Sequence, residues 1–496
     1  MTTARPTPLT PNQIRGPDVS LVASTGIFTA AAGAFLDLPS LPTTGTYSIV
    51  LDPEGAAAGT LSLTVEIGGP GAGTITADGS AVTVVLASQQ DVNLTFSGTA
   101  GQKVSVLGTS NFNGCWWIRI KKPDGTFLTS TLFCSKLGFR EPVVLPTTGT
   151  YTLIIAPYGT TSGTANIALF MFVDIVGAIT QDGAAVAATI TTPGQVARLA
   201  FTAVAGQKFS ATAASDFPNS STGCYKLAIL KPDLTLLGGT VLCGNTGFTG
   251  PLTIPTAGTY WLTVDPDTAT IGPFWSLKLY TVIDPTGSMT LDGQTVSPVL
   301  IPGAVARFTF PGTQGQKITA LTRFSTTGYY TPRILKPDGT ALITGALGGN
   351  AVPQGTLLEP SLLPVTGTYT FEVDPYDSVT GTATMSVYAV PADASASIAI
   401  NGPAVPLTIG VPGQGGVLTF SAAAPGSVTF RVAASTMSGT TQMQVKKPDG
   451  TVLFTGSFSS TYNSGAKTLP VAGTYTIVLN PDGPAIGTMT WTLTAP

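Results

Sequence analysis

The chain has 496 residues, 22 basic and 25 acidic side chains, a net charge of −3, 43% apolar residues and only 9% charged ones. It is long enough for several domains, and its charge balance gives no footprint for nucleic acid or an anionic membrane, both of which reward a basic excess. There is no histidine, which removes the commonest general base, the commonest metal ligand and every His-dependent triad.

With 58 Gly and 39 Pro, long helices are not expected, and no apolar run reaches the roughly 18 residues a membrane span requires. At the N-terminus, Arg5 and Arg15 precede the apolar VSLVASTGIFTAAAGA, an outline shared with signal peptides. Ser24, Thr25, Gly26 and Thr29 interrupt that stretch and Asp18 abuts it, so strand is the expectation there.

Next comes LPTTGTYSIVLDPEGAAAG, residues 41–59, which returns four times in close copy. Anchored on Tyr47, Tyr151, Tyr260, Tyr369 and Tyr475, the copies are 104, 109, 109 and 106 residues apart. A proline stands six positions after each Tyr (Pro53, Pro157, Pro266, Pro375, Pro481), and a glycine six further on. Fixed spacing in five copies marks one duplicated module. Within each period an alternating stretch leads to Asp78-Gly79, Asp182-Gly183, Asp292-Gly293 or Asn401-Gly402, expected to form a tight hairpin turn with two positive-φ residues. Then follow an alternating strand with a central turn, as in LTFSGTAGQKVSV, and a KPDG turn at Pro123, Pro232, Pro337 or Pro448. The second copy reads KPDL, and a different turn type is expected there. About eight short strands per period predict a sandwich or barrel. The Tyr of G-T-Y is expected in a core strand with its hydroxyl bound back to the adjacent turn, similar to a tyrosine corner. The Asp of D-P is expected to accept turn N–H groups. A calcium role for Asp265 and Asp267 is weak, because Ala156 and Asn480 replace the acid in sister copies.

Cys115 and Cys134 flank the first full KPDG turn, and Cys224 and Cys243 the second, each pair 19 residues apart. In a simple two-residue hairpin the partners face each other within disulfide range. Disulfides are expected, with buried free thiols as the alternative. Two thiols per module without His cannot complete a zinc site. The other two modules have Tyr329 and Gly348, and Thr440 and Ser459, at these offsets. Pro17 precedes Tyr47 by the spacing of a KPDG turn, so residues 1–69 read as the second half of a module. Truncation, capping and completion by a strand from another subunit all remain open for that half. The domain reading is 1–69 (partial), 70–176, 177–284, 285–391 and 392–496.

LTFSGTAGQKVSV, KPDGTFL and LPTTGTYTLIIAPYGTTSG resemble the tandem β-sandwich modules of large bacterial surface proteins, similar to pre-peptidase C-terminal-like domains and to modules upstream of Rhs/YD-repeat regions. The resemblance implies an all-β fold, a tandem array of Ig-like or jelly-roll-like antiparallel β-sandwiches of about 105–110 residues. It implies spacer, secretion or polymer-binding roles, and no Rhs shell repeat or toxin domain accompanies it here.

No GxSxG, P-loop, HExxH or CxxC motif is present. Trp116 and Trp117 are candidate ligand contacts; alternation sends one of them inward. The sequons at Asn93 and Asn219 and the pairs Lys121-Lys122 and Lys446-Lys447 carry little information. The expected protein is a non-enzymatic extracellular or cell-surface stalk, fibre or filament subunit. It has no cofactor, and its partner is itself or a surface or matrix polymer. A polysaccharide- or matrix-binding adhesin and a virion or injection-machine fibre are the alternatives.

Overall fold

The computed structural model describes residues 13–24, 41, 43–51, 60, 63, 65, 71–87, 90–112, 114–159, 161–217, 223–267, 269–326, 328–345, 355–423 and 425–495. Among them there is no helix, and four successive stretches carry the same two sheets. In the second repeat a five-stranded sheet runs in the order Ile175–Ala178, Ala197–Ala203, Gly258–Pro266, Cys224–Leu230, Leu236–Cys243. A four-stranded sheet runs Val186–Ile190, Gly272–Thr281, Lys208–Ser215, Thr246–Thr253. The same orders return in the other three repeats, where the third has one strand split in two. Alternation decides which face is buried: Ala197, Leu199, Phe201 and Ala203 point into the core while Arg198, Ala200 and Thr202 do not. Each repeat has one apolar cluster, to which both sheets contribute.

Several sequence expectations need correction. Among the described residues the four repeats have nine, nine, ten and nine strands, against the expected eight or so, and the opening strand lies a few residues ahead of the alternating stretch that leads to each D/N-G pair. That strand pairs parallel with its neighbour (Ile175–Ala178 along Ala197–Ala203), so the sheets are not purely antiparallel. The D/N-G turns do not make hairpins, since the strands on either side join different sheets. Only one residue of each pair takes positive φ: Gly79, Asp182, Gly293 and Asn401. The AGQK turns likewise carry the chain across, from Val92–Gly98 in one sheet to Lys103–Ser110 in the other.

The KPDG turns are true hairpins, but of three residues. In the second copy Lys231 N–H donates to Thr235 O (2.8 Å) and Leu234 N–H to Lys231 O (2.9 Å). The residue in the left-handed region is Gly125, Gly339 or Gly450 in the other copies and Leu234, at φ 65°, here. The turn type is therefore unchanged, and Leu234 bears the penalty of an L-residue in that region. Leu234→Gly is expected to stabilise the second repeat by about 0.5–1 kcal/mol after the extra chain entropy of glycine is counted. Chemical unfolding of the two proteins measures it, and a loss of stability would sink the argument.

The two hallmark motifs are mates. A Cβ on the glycine of G-T-Y would stand 2.4, 2.7, 2.8, 2.6 and 2.7 Å from the turn proline's ring at Gly45–Pro17, Gly149–Pro123, Gly258–Pro232, Gly367–Pro337 and Gly473–Pro448. Glycine is required because the KPDG ring lies on the strand at that point. The described N-terminal strands, Leu21–Ser24, Gln13–Arg15 and Ser48–Val50, follow the order of Leu236–Cys243, Cys224–Leu230 and Gly258–Pro266. Pro53, Gly59, the Asn219 sequon and Gly348 lie outside the described residues.

Candidate functional site

The rings of Tyr151, Tyr260, Tyr369 and Tyr475 are fully buried. Each hydroxyl donates to the carbonyl four residues upstream: Thr147 (2.6 Å), Thr256 (2.8 Å), Val365 (2.7 Å) and Val471 (2.8 Å). Tyr47, partly exposed, does the same with Thr43 (2.6 Å). These tyrosines tie strand to turn.

Both cysteine pairs are disulfides, with Cα atoms 4.0 and 3.9 Å apart, and no described cysteine is a free thiol. The register that joins them depends on a bulge. Leu230 faces Leu236, but from Ile229 onward the pairing slips by one residue, so that Cys224 meets Cys243. The three-residue turn without that slip would leave the cysteines one place out of step.

Trp116 is not a ligand contact. It is 0% exposed, packs against Phe112 and Phe133, and donates its indole N–H to Ser135 O (3.0 Å). Trp117, next along the strand, points to the outer face, with the Arg119 guanidinium 4.7 Å from its ring centre. Phe127 is exposed beside it, within reach of Arg119 and Lys121. One face of the Trp117 ring is thus already occupied by a cation.

The D-P aspartates do not play the expected role. Neither Asp265 nor Asp374 accepts a turn amide among the described residues; both stand on the outer sheet face, opposite Lys226 and Thr331. Burial raises the Asp265 carboxyl, and neighbouring Asp174 adds to the rise against Lys103, Lys226 and Arg198. Burial also raises Glu141, with Asp265 and Asp267 adding to it. Among the described residues no three acids or thiols gather as a metal site. The KPDG aspartates do cap turns: Thr126 donates from N–H (2.9 Å) and hydroxyl (2.6 Å) to Asp124, whose pKa these bonds and Lys122 bring to about 2.

Polar side chains converge where one repeat meets the next. Only Val173 and Asp174 separate Gly163–Phe172 from Ile175–Ala178. Asp174 binds Lys103 of the first repeat (2.6 Å) and Arg198 of the second (3.2 Å). Beside it the Ser105 hydroxyl donates to Pro193 O (2.6 Å, buried), and Gly194, at φ 86°, rests on Pro142 and Phe139. The next junction repeats each part. Asp284 binds Lys208 (3.2 Å) and Arg307 (3.0 Å), Ser210 donates to Pro302 O (2.6 Å), and Gly303 rests on Phe248 and Pro251. Burial pushes the Asp284 carboxyl up, but the Val305 amide, Lys208 and Arg307 outweigh it, leaving the pKa below the usual carboxylate value.

The third junction keeps the frame and loses the charge. Gly413 rests on Pro360 and Thr319, and Gln414 Nε2 donates to Ala392 O (2.9 Å). Val417 stands where the arginine was, since it pairs with Val478 as Arg198 does with Thr263. Thr319 turns its hydroxyl to Leu358 O in its own repeat (2.6 Å). Lys317 and Asp393 form no ion pair among the described residues, and a cleft of about 790 Å³ opens beside them. These junctions were absent from the sequence expectations. Their signal was a Pro-Gly pair (Pro193-Gly194, Pro302-Gly303, Pro412-Gly413) that follows an Asp in every linker.

No protein family matches the sequence, and no curated protein matches it. Among solved structures, similarity extends to the pre-peptidase C-terminal domain of a Bacillus anthracis collagenase. It is 19% identical over 21% of this chain and 96% of that one, with a TM-score of 0.18. The periplasmic g-type lysozyme inhibitor PliG of Aeromonas hydrophila is 11% identical over 21% of this chain and 98% of that one (TM-score 0.17). The BSP domain of a biofilm associated protein is 10% identical over 90% of this chain and 99% of that one (TM-score 0.12).

Proposed function

We propose that the chain is a non-enzymatic structural protein, a stalk or filament subunit built of tandem Ig-like or jelly-roll-like β-sandwich modules and working outside the cytoplasm. The observation that carries this reading is the recurrence of one junction, whose glycine seat returns at all three places and whose Asp hub and hydroxyl-to-carbonyl bond return at the first two. Such a junction resists bending, because linkers of two to four residues leave little slack. The two disulfides are consistent with an extracellular or periplasmic site. The KPDG aspartates are engaged in turns and Asp174 and Asp284 in junctions, which supports a role without catalysis. The segment 1–69 is the subunit-joining element in this reading, with its described strands ordered like part of a five-stranded sheet.

Small-angle scattering on the full chain tests the array. Modules of ~13 Å radius of gyration, placed four or five in line, reach on the order of 150 Å; a compact particle of about half that length would sink the reading. Asp284→Ala is expected to broaden the distribution of angles between the second and third repeats in electron micrographs while each repeat stays folded. Acid should act in the same direction. Because the folded-state pKa of Asp284 is depressed, its contribution is complete above about pH 4 and is lost as pH falls through the folded value. Stiffness that persists in both cases would take the hub role from Asp284.

A further inference from the structure

The outer face of the five-stranded sheet meets the preceding repeat in the second, third and fourth repeats, and the chemistry of that face differs from repeat to repeat. In the first repeat the facing residues are Ala156, Trp117 and Leu132, and in the second Asp265, Lys226 and Val241. In the third Glu372 sits between Arg307 (2.9 Å) and Arg333 (2.9 Å). In the fourth the grid is uncharged. Asn480, Gln442 and Ser457 form one row, and Val478, Gln444 and Thr455 the next. All six line the cleft at the third junction.

We propose that this cleft is a binding site for a neutral, hydroxyl-rich chain, that is, an uncharged glycan. The site arises from specific losses. Val417 in place of arginine, and Lys317 and Asp393 without an ion pair among the described residues (Asp393 accepts the Gly415 amide, 3.2 Å), leave open the space that ion networks occupy at the other two junctions. Amides and hydroxyls both donate and accept, as sugar hydroxyls do. They stand about 4.8 Å apart across strands and about 6.8 Å apart along them, so one extended chain meets several at once. Gln442 is already held by Asp482 (Nε2 to Oδ2, 3.0 Å), so its carbonyl is aimed in advance. The rim charges, Lys317 and Asp393, cancel, which disfavours anionic polymers. A peptide finds less here. The floor strands Thr441–Lys446 and Gly473–Pro481 are paired on both sides, so a further strand can be added only at the outer edge of Val452–Phe458 and not across the floor, and the lining holds no charge cluster for side chains. The proposal requires only the third junction and is independent of the filament reading.

Affinity electrophoresis of the full chain through dextran, laminarin and mannan tests it, with gelatin and hyaluronate as the protein and anionic alternatives. Retardation by at least one neutral glycan is expected, and it should be equal at low and high salt. Gln442→Ala with Gln444→Ala should weaken it about tenfold or more. Val417→Arg, which restores the sister junctions' charge, should weaken it independently. Lys226→Ala, on the matching face of the second repeat, should leave it unchanged. Circular dichroism confirms that each variant is folded. No retardation by any of the three glycans overturns the proposal. So does retardation that survives the double substitution, and so does gelatin or hyaluronate binding that the double substitution abolishes.

Discussion

Trp116→Ala is expected to destabilise the first repeat by about 3–5 kcal/mol, and Trp117→Ala by about 1 kcal/mol or less. The difference comes from what each ring touches. Trp116 reaches across the core to the other sheet, where a Cβ on Gly108 would lie 2.3 Å from its ring and one on Gly138 2.8 Å. Those two glycines leave the indole its space, and nothing nearby can fill the space if it goes. A stability of 5–15 kcal/mol is usual for a domain, so the loss could leave the first repeat marginal while the other three are unaffected. Trp117 gives up only its outer-face packing and one cation contact. Calorimetry on the full chain should show one transition moving sharply down for Trp116→Ala and almost no movement for Trp117→Ala. Equal effects would mean that the strand register is wrong.

The other repeats solve the same volume problem differently, which explains why the tryptophans alone were ambiguous in the sequence. Tyr225 takes the Trp116 place in the second repeat, above Gly247. In the fourth the place belongs to buried Thr441, and Trp491 fills the core from the opposite sheet, edge-on to Phe458. Aromatic volume moves between sheets while the core stays full, so no single column of the repeat is always aromatic. Alternation shows that one of two adjacent tryptophans is buried, but choosing which requires the register.

Local chemistry was legible where it acts over a few residues. G-T-Y, KPDG and the cysteine spacing report strand, hairpin and cross-link because each depends on near neighbours. The D/N-G turns were misread, because a tight turn that closes a hairpin and one that passes a chain between sheets share the same residues. The partner strand decides between them, and it lies tens of residues away. The short opening strands were expected a few residues late, in the alternating stretch before each D/N-G pair, because GAGT and TGS have little strand propensity and a parallel neighbour holds them in place. The junctions were missed because their parts are single residues from two repeats. Asp284, Ser210, Gly303 and Arg307 are scattered along the chain, marked there only by the Pro-Gly pair after the Asp, and become a site only when the repeats abut.

Replacing Cys224 and Cys243 by serine is expected to cost the second repeat about 3 kcal/mol, the value for a closed loop of this size in the chain-entropy account. The bridge ties an edge strand, Leu236–Cys243, to Cys224–Leu230 at the end far from the KPDG turn, so the hairpin is closed at both ends. Without it the edge can fray from the open end, where Tyr225 and Leu242 cover the core. The first repeat should respond alike to loss of Cys115–Cys134. The third and fourth repeats, with Tyr329 and Thr440 in place of the first cysteine, should not respond to reductant at all. Thermal unfolding of the full chain with and without dithiothreitol separates these cases. Two transitions should fall and two should stay. A uniform shift of all four would mean that the repeats unfold as one body, so that each junction carries more coupling than its ion pairs and hydrogen bonds imply. No shift would mean that the hairpins are held by their cross-strand packing and that the bridges add nothing to the folded state.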